Sequence, residues 1–372
     1  MNAEIFPIDL KAQYLSIQPE IDAALVRVFA LGQFILGAEV EAFEREFGEY
    51  CSADHAVGVD SGTSAIQLSL LACGIGMGDE VVTVSNTAVA TVAAIELTGA
   101  KPILVDIDPL YLTLDPSNLE AALTARTRAI IPVHLFGCPA DLNPILDFAS
   151  AHQLFVIEDC AQAHGACYHG RPVGGWGRLS AFSFYPTKNL GAYGDGGAVL
   201  TNDPVLAERA RLLRQYGWDA NRMSQQKGMN ARLDEMQAAI LRAKLRHLEK
   251  WNDRRRELAA LYKSMLADVL TLPVERPEIC HVYHQFVVRH PQRDALRHYL
   301  LEHGIHTQIH YPVPIHLQPA YRELASQPLP VTEATATQIL SLPLYPEMRD
   351  EDVERVCQLI HMFLNSAKKN QL

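Results

Sequence analysis

Residues 180–201, SAFSFYPTKNLGAYGDGGAVLT, predict two short strands joined by a glycine-rich turn that carries a single lysine. The first strand is apolar and aromatic, and it stops at Pro186, which has no N–H to give to a sheet. A lysine between apolar strands is costly to bury unless its amine is kept neutral and reactive. Lys188 is therefore a candidate Schiff-base lysine for a carbonyl cofactor, with a solvated loop lysine as the alternative.

Size and composition indicate an ordinary globular protein of two domains. The chain has 372 residues, and we place the boundary so that residues 1–245 form the larger domain and 246–372 the smaller one. The formal net charge of -11 argues against a general binder of nucleic acid or of an anionic membrane. The cysteines are scattered without a CxxC pair, and neither a signal peptide nor a long apolar span is visible. We therefore expect a cytoplasmic protein with reduced thiols.

Apolar, β-branched runs alternate with helical stretches through the first half of the chain. This alternation predicts an α/β fold in which a mostly parallel seven-stranded sheet is sandwiched by helices. Ligands of such sheets gather at the carboxyl ends of the strands, so the residues just after each strand are the functional candidates. The predicted strands are 55–59, 80–84, 102–105, 129–134, 154–157, 179–184 and 198–201, and the predicted helices are 64–73, 90–98, 117–122 and 143–152.

Both ends of the chain are predicted to lie outside this sheet. Residues 1–15 look like an extended arm. Beyond residue 203 we expect two helices, the second of them a long helix over 233–265 with a solvated charged stretch at 254–257. It leads into a small C-terminal α+β domain. The other elements expected outside the sheet are helices at 17–29, 38–50, 293–303 and 351–365 and a strand at 282–288.

Two strand ends carry residues suited to a phosphorylated pyridine. Residues 60–65, DSGTSA, open a helix with small and hydroxyl side chains, which suits a phosphate at a helix N-terminus. Asp159 follows a strand and could hold a pyridinium nitrogen, and Gln162 could bond a ring oxygen. Each feature alone could be simple helix capping. Together with Lys188, they are the parts that pyridoxal 5′-phosphate (PLP) needs.

The other polar residues near these strands are a serine that suits a phosphate and several histidines. Ser183 lies on the strand before Lys188 and could add a hydroxyl to a phosphate site. A metal site is not expected, because the histidines are not spaced like paired ligands and are better explained as core or hydrogen-bonding residues. These histidines are His134, His152, His164 and His169.

Six segments of the chain match, in order, those of a known family. They are SGTSAI at 61–66, EDCAQA at 158–163, SFYPTKNL at 183–190, GDGGA at 194–198, GMNARLDEMQAA at 228–239 and HYP at 310–312. The chain thereby resembles the sugar aminotransferases of the DegT/DnrJ/EryC1/StrS family, which are fold type I PLP enzymes. The resemblance implies a homodimer with shared active sites that uses PLP, a nucleotide-sugar substrate and glutamate as amino donor.

The resemblance also implies a role for each matching residue. Lys188 would bind the cofactor covalently and shuttle protons, and Asp159 would pair with the pyridine nitrogen. The other implied cofactor contacts are Gln162 with the ring hydroxyl, Gly62, Thr63 and Ser183 with the phosphate, and Asn230 with the phosphate bound to the other subunit. The implied substrate contacts are Tyr185, Lys227, His310 and Tyr311. Lys227, Arg232 and the histidines near 306–316 are candidate cations for the diphosphate.

One segment departs from the pattern of many family members. Where they carry a large aromatic residue that stacks on the pyridine ring, this chain has Ala88 and Val89. This version resembles the branch that aminates C3 of dTDP-linked 6-deoxyhexoses, as does RQYGW at 214–218. The alternative is that Ala88 and Val89 simply pack in the core and carry no information about the substrate.

The expected reaction converts a dTDP-3-keto-6-deoxyhexose to a dTDP-3-amino-3,6-dideoxyhexose, as part of deoxysugar biosynthesis. One alternative is amination at C4 of a 4-keto sugar. A PLP-dependent sugar dehydratase is another, although some of those enzymes carry histidine at the position of Lys188. A non-catalytic PLP-binding regulator is the third.

Overall fold

The computed structural model describes residues 4–325 and 327–369. Its strands are β1 (His55–Val59), β2 (Glu80–Val84), β3 (Lys101–Val105), β4 (Thr127–Ile130), β5 (Phe155–Asp159), β6 (Cys167–Tyr168), β7 (Arg171–Pro172), β8 (Leu179–Ser183), β9 (Gly197–Thr201), β10 (Ile279–Cys280), β11 (Phe286–Arg289) and β12 (Ile339–Leu342). Its α-helices are α1 (Leu10–Ser16), α2 (Gln18–Leu31), α3 (Ala38–Tyr50), α4 (Gly62–Ala72), α5 (Val89–Leu97), α6 (Leu119–Ala122), α7 (Leu142–His152), α8 (Pro204–Leu213), α9 (Glu235–Leu245), α10 (Leu248–Leu266), α11 (Arg293–Glu302), α12 (Pro330–Ala336) and α13 (Asp350–Lys369). Short 3₁₀ turns lie at Pro116–Asn118, Leu135–Gly137, Ile315–Leu317 and Pro319–Leu324.

A seven-stranded sheet with the order β1-β9-β8-β5-β4-β2-β3 forms the centre of the molecule. The strands from β8 to β3 pair in parallel, and only β9 runs antiparallel to both of its neighbours. Every residue of β2 and β9 is buried, as expected for strands covered on both faces. The predicted mostly parallel α/β sheet is confirmed.

The carboxyl ends of β5 and β8 lie side by side at one edge of this sheet. Ile157 pairs with Leu179 and Asp159 pairs with Ala181, so both chains leave the sheet at the same level. The strand predicted over 129–134 instead spans Thr127–Ile130, and beyond it the N–H of Asp159 still donates to the Pro132 carbonyl at 2.9 Å. The edge formed by β5 and β8 is where the candidate residues Asp159 and Lys188 emerge.

The N-terminal segment is not extended throughout. Leu10–Ser16 form α1, and the side chain of Asp9 caps this helix by accepting the N–H of Ala12 at 2.9 Å. The prediction of an extended arm over 1–15 is therefore wrong for its second half, and residues 1–3 lie outside the described part of the chain.

The helix predicted over 233–265 is two helices, α9 and α10, separated at Arg246 and His247. Arg246 donates to Glu20 Oε2 at 2.7 Å, and His247 Nε2 lies 2.9 Å from Glu20 Oε1. These contacts with α2 hold the turn. The stretch predicted to be solvated is also partly buried, because Arg255 is only 3% exposed. Its guanidinium Nη1 donates to the carbonyl oxygens of Tyr283, His284 and Leu344.

The C-terminal part of the chain packs around an apolar core of its own. Tyr262 of α10, Phe286 of β11, Leu300 of α11 and Val356 of α13 belong to this core. The strands β11 and β12 form a two-stranded antiparallel sheet, and β11 is shorter and lies later in the chain than the predicted 282–288. Among residues 4–325 and 327–369, no helix is long and apolar enough to cross a membrane.

Candidate active site

Asp159 is the last residue of β5, and its side chain is buried in front of the carboxyl edge of the sheet. Thr91 Oγ1 donates to Asp159 Oδ2 at 2.8 Å, and the N–H of Ala161 donates to Oδ1 at 3.1 Å. Burial raises the pKa of Asp159, while the Thr91 hydroxyl, the Ala161 N–H and the charge of Lys188 oppose the increase. A cation placed against this carboxylate would therefore be strongly stabilised.

Lys188 lies in the turn between β8 and β9, where its N–H donates to the carbonyl of Tyr185 at 2.9 Å. The next residue, Asn189, is buried and fixes the turn by donating from Nδ2 to Asn252 Oδ1 at 2.9 Å and to the Val282 carbonyl at 3.0 Å. Burial lowers the pKa of Lys188 to about 8, against the opposing charge of Asp159. A solvated loop lysine would keep its usual pKa, so the burial favours a reactive amine.

The N-terminus of α4 meets the end of β8 at Gly62. A Cβ atom on Gly62 would lie 2.7 Å from Ser183 Cβ, so only glycine permits this approach. Ser61 caps the helix by accepting the N–H of Ser64 at 3.1 Å, which leaves the N–H groups of Gly62 and Thr63 at the positive end of the helix. Together with the Ser183 hydroxyl, they form a cup with the chemistry of a phosphate site.

Gln162 links this edge of the sheet to the C-terminal part of the chain. Its Oε1 accepts the N–H of Phe136 at 2.7 Å, and its Nε2 donates to the Tyr311 hydroxyl at 3.0 Å. Burial raises the pKa of Tyr311 to about 12, so its phenol stays protonated at neutral pH. Both side chains are therefore held in place as hydrogen-bonding groups.

His310 faces the same region as a neutral ring. Burial and the nearby charge of Lys188 lower the pKa of His310 to about 4, and its Nδ1 lies 2.9 Å from Ser341 Oγ. In this environment the His310 ring is neutral near neutral pH and can serve as a hydrogen-bonding group. A small cleft of about 90 Å³ is lined by His310, Gln285 and Thr187, the last of which precedes Lys188.

Ala88, Val89 and Tyr185 lie just beyond the ends of strands of the sheet. Val89 begins α5 and is 43% exposed, so it does not pack in the core. Ala88 is partly buried just before it. Tyr185 is 53% exposed directly after β8 and is free to contact a ligand.

Lys227 and Asn230 are both exposed on the segment between α8 and α9. Neither donates or accepts a side-chain hydrogen bond with the residues around Lys188 in the described chain. Asn230 instead lines a cleft of about 410 Å³ together with Asp60 and Arg232. The structure thus brings most of the predicted site residues together in one chain but leaves Lys227 and Asn230 at its surface.

His134, Glu158 and Cys160 approach one another closely enough to suggest a metal site. However, His134 Nδ1 accepts the N–H of Ala140 at 2.9 Å, so its Nε2 is the donor to Glu158 Oε2 at 3.2 Å. The Glu158 carboxylate also accepts the N–H groups of Gly174, Trp176 and Gly177, each at 2.8 Å. These groups are therefore committed to internal hydrogen bonds, which favours a structural role.

The groups around Gly62, Asp159 and Lys188 have the chemistry to bind a phosphorylated pyridine aldehyde. The cup at Gly62 and Ser183 suits its phosphate, and the buried Asp159 carboxylate suits a protonated ring nitrogen. The desolvated amine of Lys188 suits its aldehyde carbon.

Comparisons with known proteins show the family of the chain. The model of the DegT/DnrJ/EryC1/StrS aminotransferase family matches residues 15–361, and the chain belongs to this family. It is 50% identical to dTDP-3-amino-3,4,6-trideoxy-alpha-D-glucose transaminase of Streptomyces venezuelae, over 95% of this chain and 94% of that one. It is 46% identical to dTDP-3-amino-3,6-dideoxy-alpha-D-galactopyranose transaminase of Aneurinibacillus thermoaerophilus, over 96% and 98%. A third relative, 49% identical over 94% and 96%, is the erythromycin biosynthesis sensory transduction protein EryC1 of Saccharopolyspora erythraea.

Solved structures show the same fold along nearly the whole chain. The structure of S. venezuelae DesV in complex with a ketimine intermediate superposes with a TM-score of 0.95 at 49% identity, covering 98% of this chain and 99% of that one. The structure of NtdA from Bacillus subtilis with its bound cofactor PMP superposes with a TM-score of 0.88 at 31% identity, covering 97% and 86%. The fold is that of the fold type I aminotransferases, and the chain is an aminotransferase.

Sequence reasoning missed several residues that hold the site together. Thr91 contacts Asp159 directly, and His284 Nδ1 lies 3.2 Å from Asn189 Oδ1, next to Lys188. Both lie far along the chain from the residues that they contact. The only local signal for Thr91 was its place at the start of a predicted helix that follows a strand of the sheet.

Proposed function

We propose that this protein is a PLP-dependent sugar aminotransferase that converts a dTDP-3-keto-6-deoxyhexose to the dTDP-3-amino-3,6-dideoxyhexose, with glutamate as donor. The observation that carries the proposal is the pairing of a desolvated Lys188 amine with the buried Asp159 carboxylate at one sheet edge, in a chain of this family. The names of two relatives, both dTDP-3-amino-sugar transaminases, support amination at C3.

Different residues of the chain would bind different parts of PLP. The N–H groups of Gly62 and Thr63 and the Ser183 hydroxyl would bind its phosphate, and Asp159 its ring nitrogen. Gln162 would contact the ring hydroxyl, and Ala88 and Val89 would contact one ring face. PLP, when bound, supplies an electron sink for the carbon that gains or loses the amino group.

Lys188 would act twice, first as the covalent anchor and then as the proton carrier. Its lowered pKa gives an appreciable fraction of neutral amine near pH 8, and only the neutral amine can accept a proton from carbon. Asp159 would keep its negative charge opposite the ring nitrogen, and the Thr91 hydroxyl stabilises that charge. These two roles need both groups to stay shielded from water, as their burial provides.

The substrate would lie above the exposed groups at the mouth of the site. Tyr185, His310 and Tyr311 would hydrogen-bond the hexose and its diphosphate. Lys227, which is exposed, and Arg232, which lines the cleft of Asn230, remain the candidate cations for the diphosphate. The small side chains of Ala88 and Val89 would leave room beside the ring for the sugar.

We infer that the active form is a homodimer with shared sites. An apolar surface on α2 and the loop after it contains Val26, Phe29, Leu31, Phe34 and Ile35, which are 41–65% exposed. This surface adjoins the segment of Asn230, because the N–H of Glu235 donates to the Phe34 carbonyl at 3.1 Å and Ile35 pairs with Asp234. A second copy covering the surface would bury it and bring the partner's Asn230 toward the phosphate cup.

The two-domain division at residues 245 and 246 is also part of the proposal. It is supported by the apolar core that residues 258–364 form together with Ile5 and by the break between α9 and α10. The cleft beside Thr187 would then lie where the two domains meet.

The decisive experiment supplies glutamate and matched 3-keto and 4-keto dTDP-6-deoxyhexoses and locates the new amine by NMR. We expect a higher kcat/KM for the 3-keto sugar, and no turnover by Lys188→Ala. A clear preference for the 4-keto sugar would overturn the C3 assignment and leave the aminotransferase intact.

A regulatory role is the second candidate, and the name of EryC1 favours it. A regulator could bind PLP without repeated turnover. Multiple turnovers with any keto sugar of the panel would exclude a purely regulatory protein, and their complete absence would favour it.

A further inference from the structure

The Asp159 carboxylate accepts a hydrogen bond from the second of two linked threonine hydroxyls, Thr87 and Thr91, which follow β2. Thr91, in the first turn of α5, is completely buried, and its Oγ1 lies 2.8 Å from Asp159 Oδ2. Thr87 is 2% exposed, and its Oγ1 lies 3.0 Å from Thr91 Oγ1. The hydroxyls of Thr87 and Thr91 therefore form a chain of hydrogen bonds that ends at the Asp159 carboxylate.

The direction of the hydrogen bonds in this line follows from proton counting. An ionised carboxylate only accepts, so the single hydroxyl proton of Thr91 is donated to Asp159. Thr87 must then donate to Thr91. Donors arranged in series polarise one another, which strengthens the last bond to the carboxylate.

Thr91 does not use its hydroxyl to satisfy its own helix. A threonine within a helix commonly donates to the carbonyl four residues earlier. Thr91 instead reaches a residue 68 positions away, at the carboxyl end of β5. Any buried hydroxyl needs a partner, and the partner of Thr91 is the carboxylate assigned to the ring nitrogen rather than a local carbonyl.

We propose that Thr91 is a positioning residue for transamination, which keeps the Asp159 carboxylate ionised and in one orientation for the cofactor ring nitrogen, with Thr87 supporting it. The proposal rests on the assignment of Asp159 to the ring nitrogen under the proposed function. It adds to that assignment a residue that contacts neither cofactor nor substrate and acts only through Asp159.

The energetic reason is the burial of Asp159. Burial alone favours the neutral acid, and it is the strongest influence on the pKa of Asp159. The Thr91 hydroxyl is the largest opposing influence, ahead of the Ala161 N–H and the charge of Lys188. A neutral Asp159 would no longer favour a protonated ring, and the ring would be a weaker electron sink.

The test compares Thr91→Val, which keeps the shape but removes the hydroxyl, with Thr91→Ser, which keeps the hydroxyl. Thr98→Val is the matched control, because Thr98 follows α5 and donates only to the nearby Ile95 carbonyl. With saturating glutamate, we expect Thr91→Val to lower kcat about tenfold to a hundredfold, as for the loss of one hydrogen bond to a charged group. Thr91→Ser should recover most of this loss, and Thr98→Val should show none of it.

A second measurement is independent of turnover. The absorption of the bound cofactor is titrated with pH in each variant. In Thr91→Val, the pH midpoint of this absorption change should be higher than in the wild type. A ring nitrogen without its proton withdraws less electron density from the nitrogen of Lys188, which therefore keeps its proton to higher pH. A PLP analogue with carbon in place of the ring nitrogen should remove the difference between wild type and Thr91→Val in both kcat and midpoint.

The outcomes separate this proposal from a structural role. An equal loss of kcat with PLP and with the carbon analogue, or an unchanged midpoint, overturns the positioning role. If Thr91→Val does not fold, Thr87→Val replaces it and should move the midpoint in the same direction by a smaller amount, and no shift there also overturns the proposal. A separate result, normal kcat in Asp159→Ala, would instead remove the assigned role of Asp159.

Discussion

Replacing Glu158 with glutamine removes one negative charge from a fully buried position beside Asp159, where the carboxylate is surrounded by hydrogen-bond donors. The wild-type carboxylate accepts three backbone N–H groups at 2.8 Å and the Nε2–H of His134 at 3.2 Å. In Glu158→Gln, the amide oxygen can still accept the N–H groups of Trp176 and Gly177. The amide nitrogen, however, would face the N–H of Gly174 and the Nε2–H of His134, which are both donors.

Two buried donors thus lose their acceptor. Each costs about 1–3 kcal/mol, so the free energy of unfolding should fall by about 2–6 kcal/mol. The His134 ring cannot relieve this by changing tautomer, because its Nδ1 already accepts the N–H of Ala140. Urea denaturation of the cofactor-free protein at pH 7 measures the loss, with Glu49→Gln as a control at an exposed position.

The pH dependence provides a further check on Glu158. Hydrogen bonds from His134 and from backbone N–H groups lower the pKa of Glu158 from its ordinary 4.5, although burial opposes them. A lowered pKa in the folded state contributes stability above the unfolded pKa, and this contribution is lost as the pH falls through the folded pKa. The difference in the free energy of unfolding between wild type and Glu158→Gln should therefore become smaller below about pH 4.5. A decrease of less than about 1 kcal/mol in the free energy of unfolding at pH 7 would refute the conclusion that the hydrogen bonds of Glu158 stabilise the fold.

Three further perturbations have defined outcomes. Gly62→Ala places a Cβ against Ser183 and should weaken PLP binding at least tenfold by equilibrium titration, whereas unchanged affinity would contradict the phosphate cup. The rate at which an amine-specific reagent modifies Lys188 in the cofactor-free protein should rise with pH around a midpoint near 8, and a midpoint near the ordinary 10.5 would contradict its burial. Asp159→Ala should shift that midpoint lower, because the charge that favours the protonated amine is gone. Arg255→Met leaves three buried carbonyls without this donor and should destabilise the protein by about 2–5 kcal/mol in urea, whereas a near-zero change would contradict its buried role.

The positions of the strands along the chain and the residues at their ends could be predicted from the sequence because both are local signals. Lys188 follows an aromatic strand closed by a proline, and Asp159 closes an apolar strand. These positions need no knowledge of partners elsewhere in the chain.

Features set by long-range contacts could not be predicted in this way. The apolar spacing over 233–265 fits one helix, and only the contacts of Arg246 and His247 with Glu20 show why it breaks. Arg255 lies in a charged stretch typical of a solvated face, yet its partners are carbonyls 28 to 89 residues further along the chain. A local pattern contains no information about either arrangement.

The opposite pKa shifts of Lys188 and Asp159 have one common cause. Burial disfavours charge, so it lowers the pKa of the amine and raises that of the carboxylate, while the charge of each group partly protects the other. Once Lys188 is bound to a cofactor it can no longer supply that protecting charge as a free ammonium group. A protonated ring nitrogen could then stabilise the Asp159 carboxylate in its place, and the hydroxyl of Thr91 would remain as a fixed donor. The same buried environment therefore favours a reactive amine before the cofactor binds and a protonated ring afterwards.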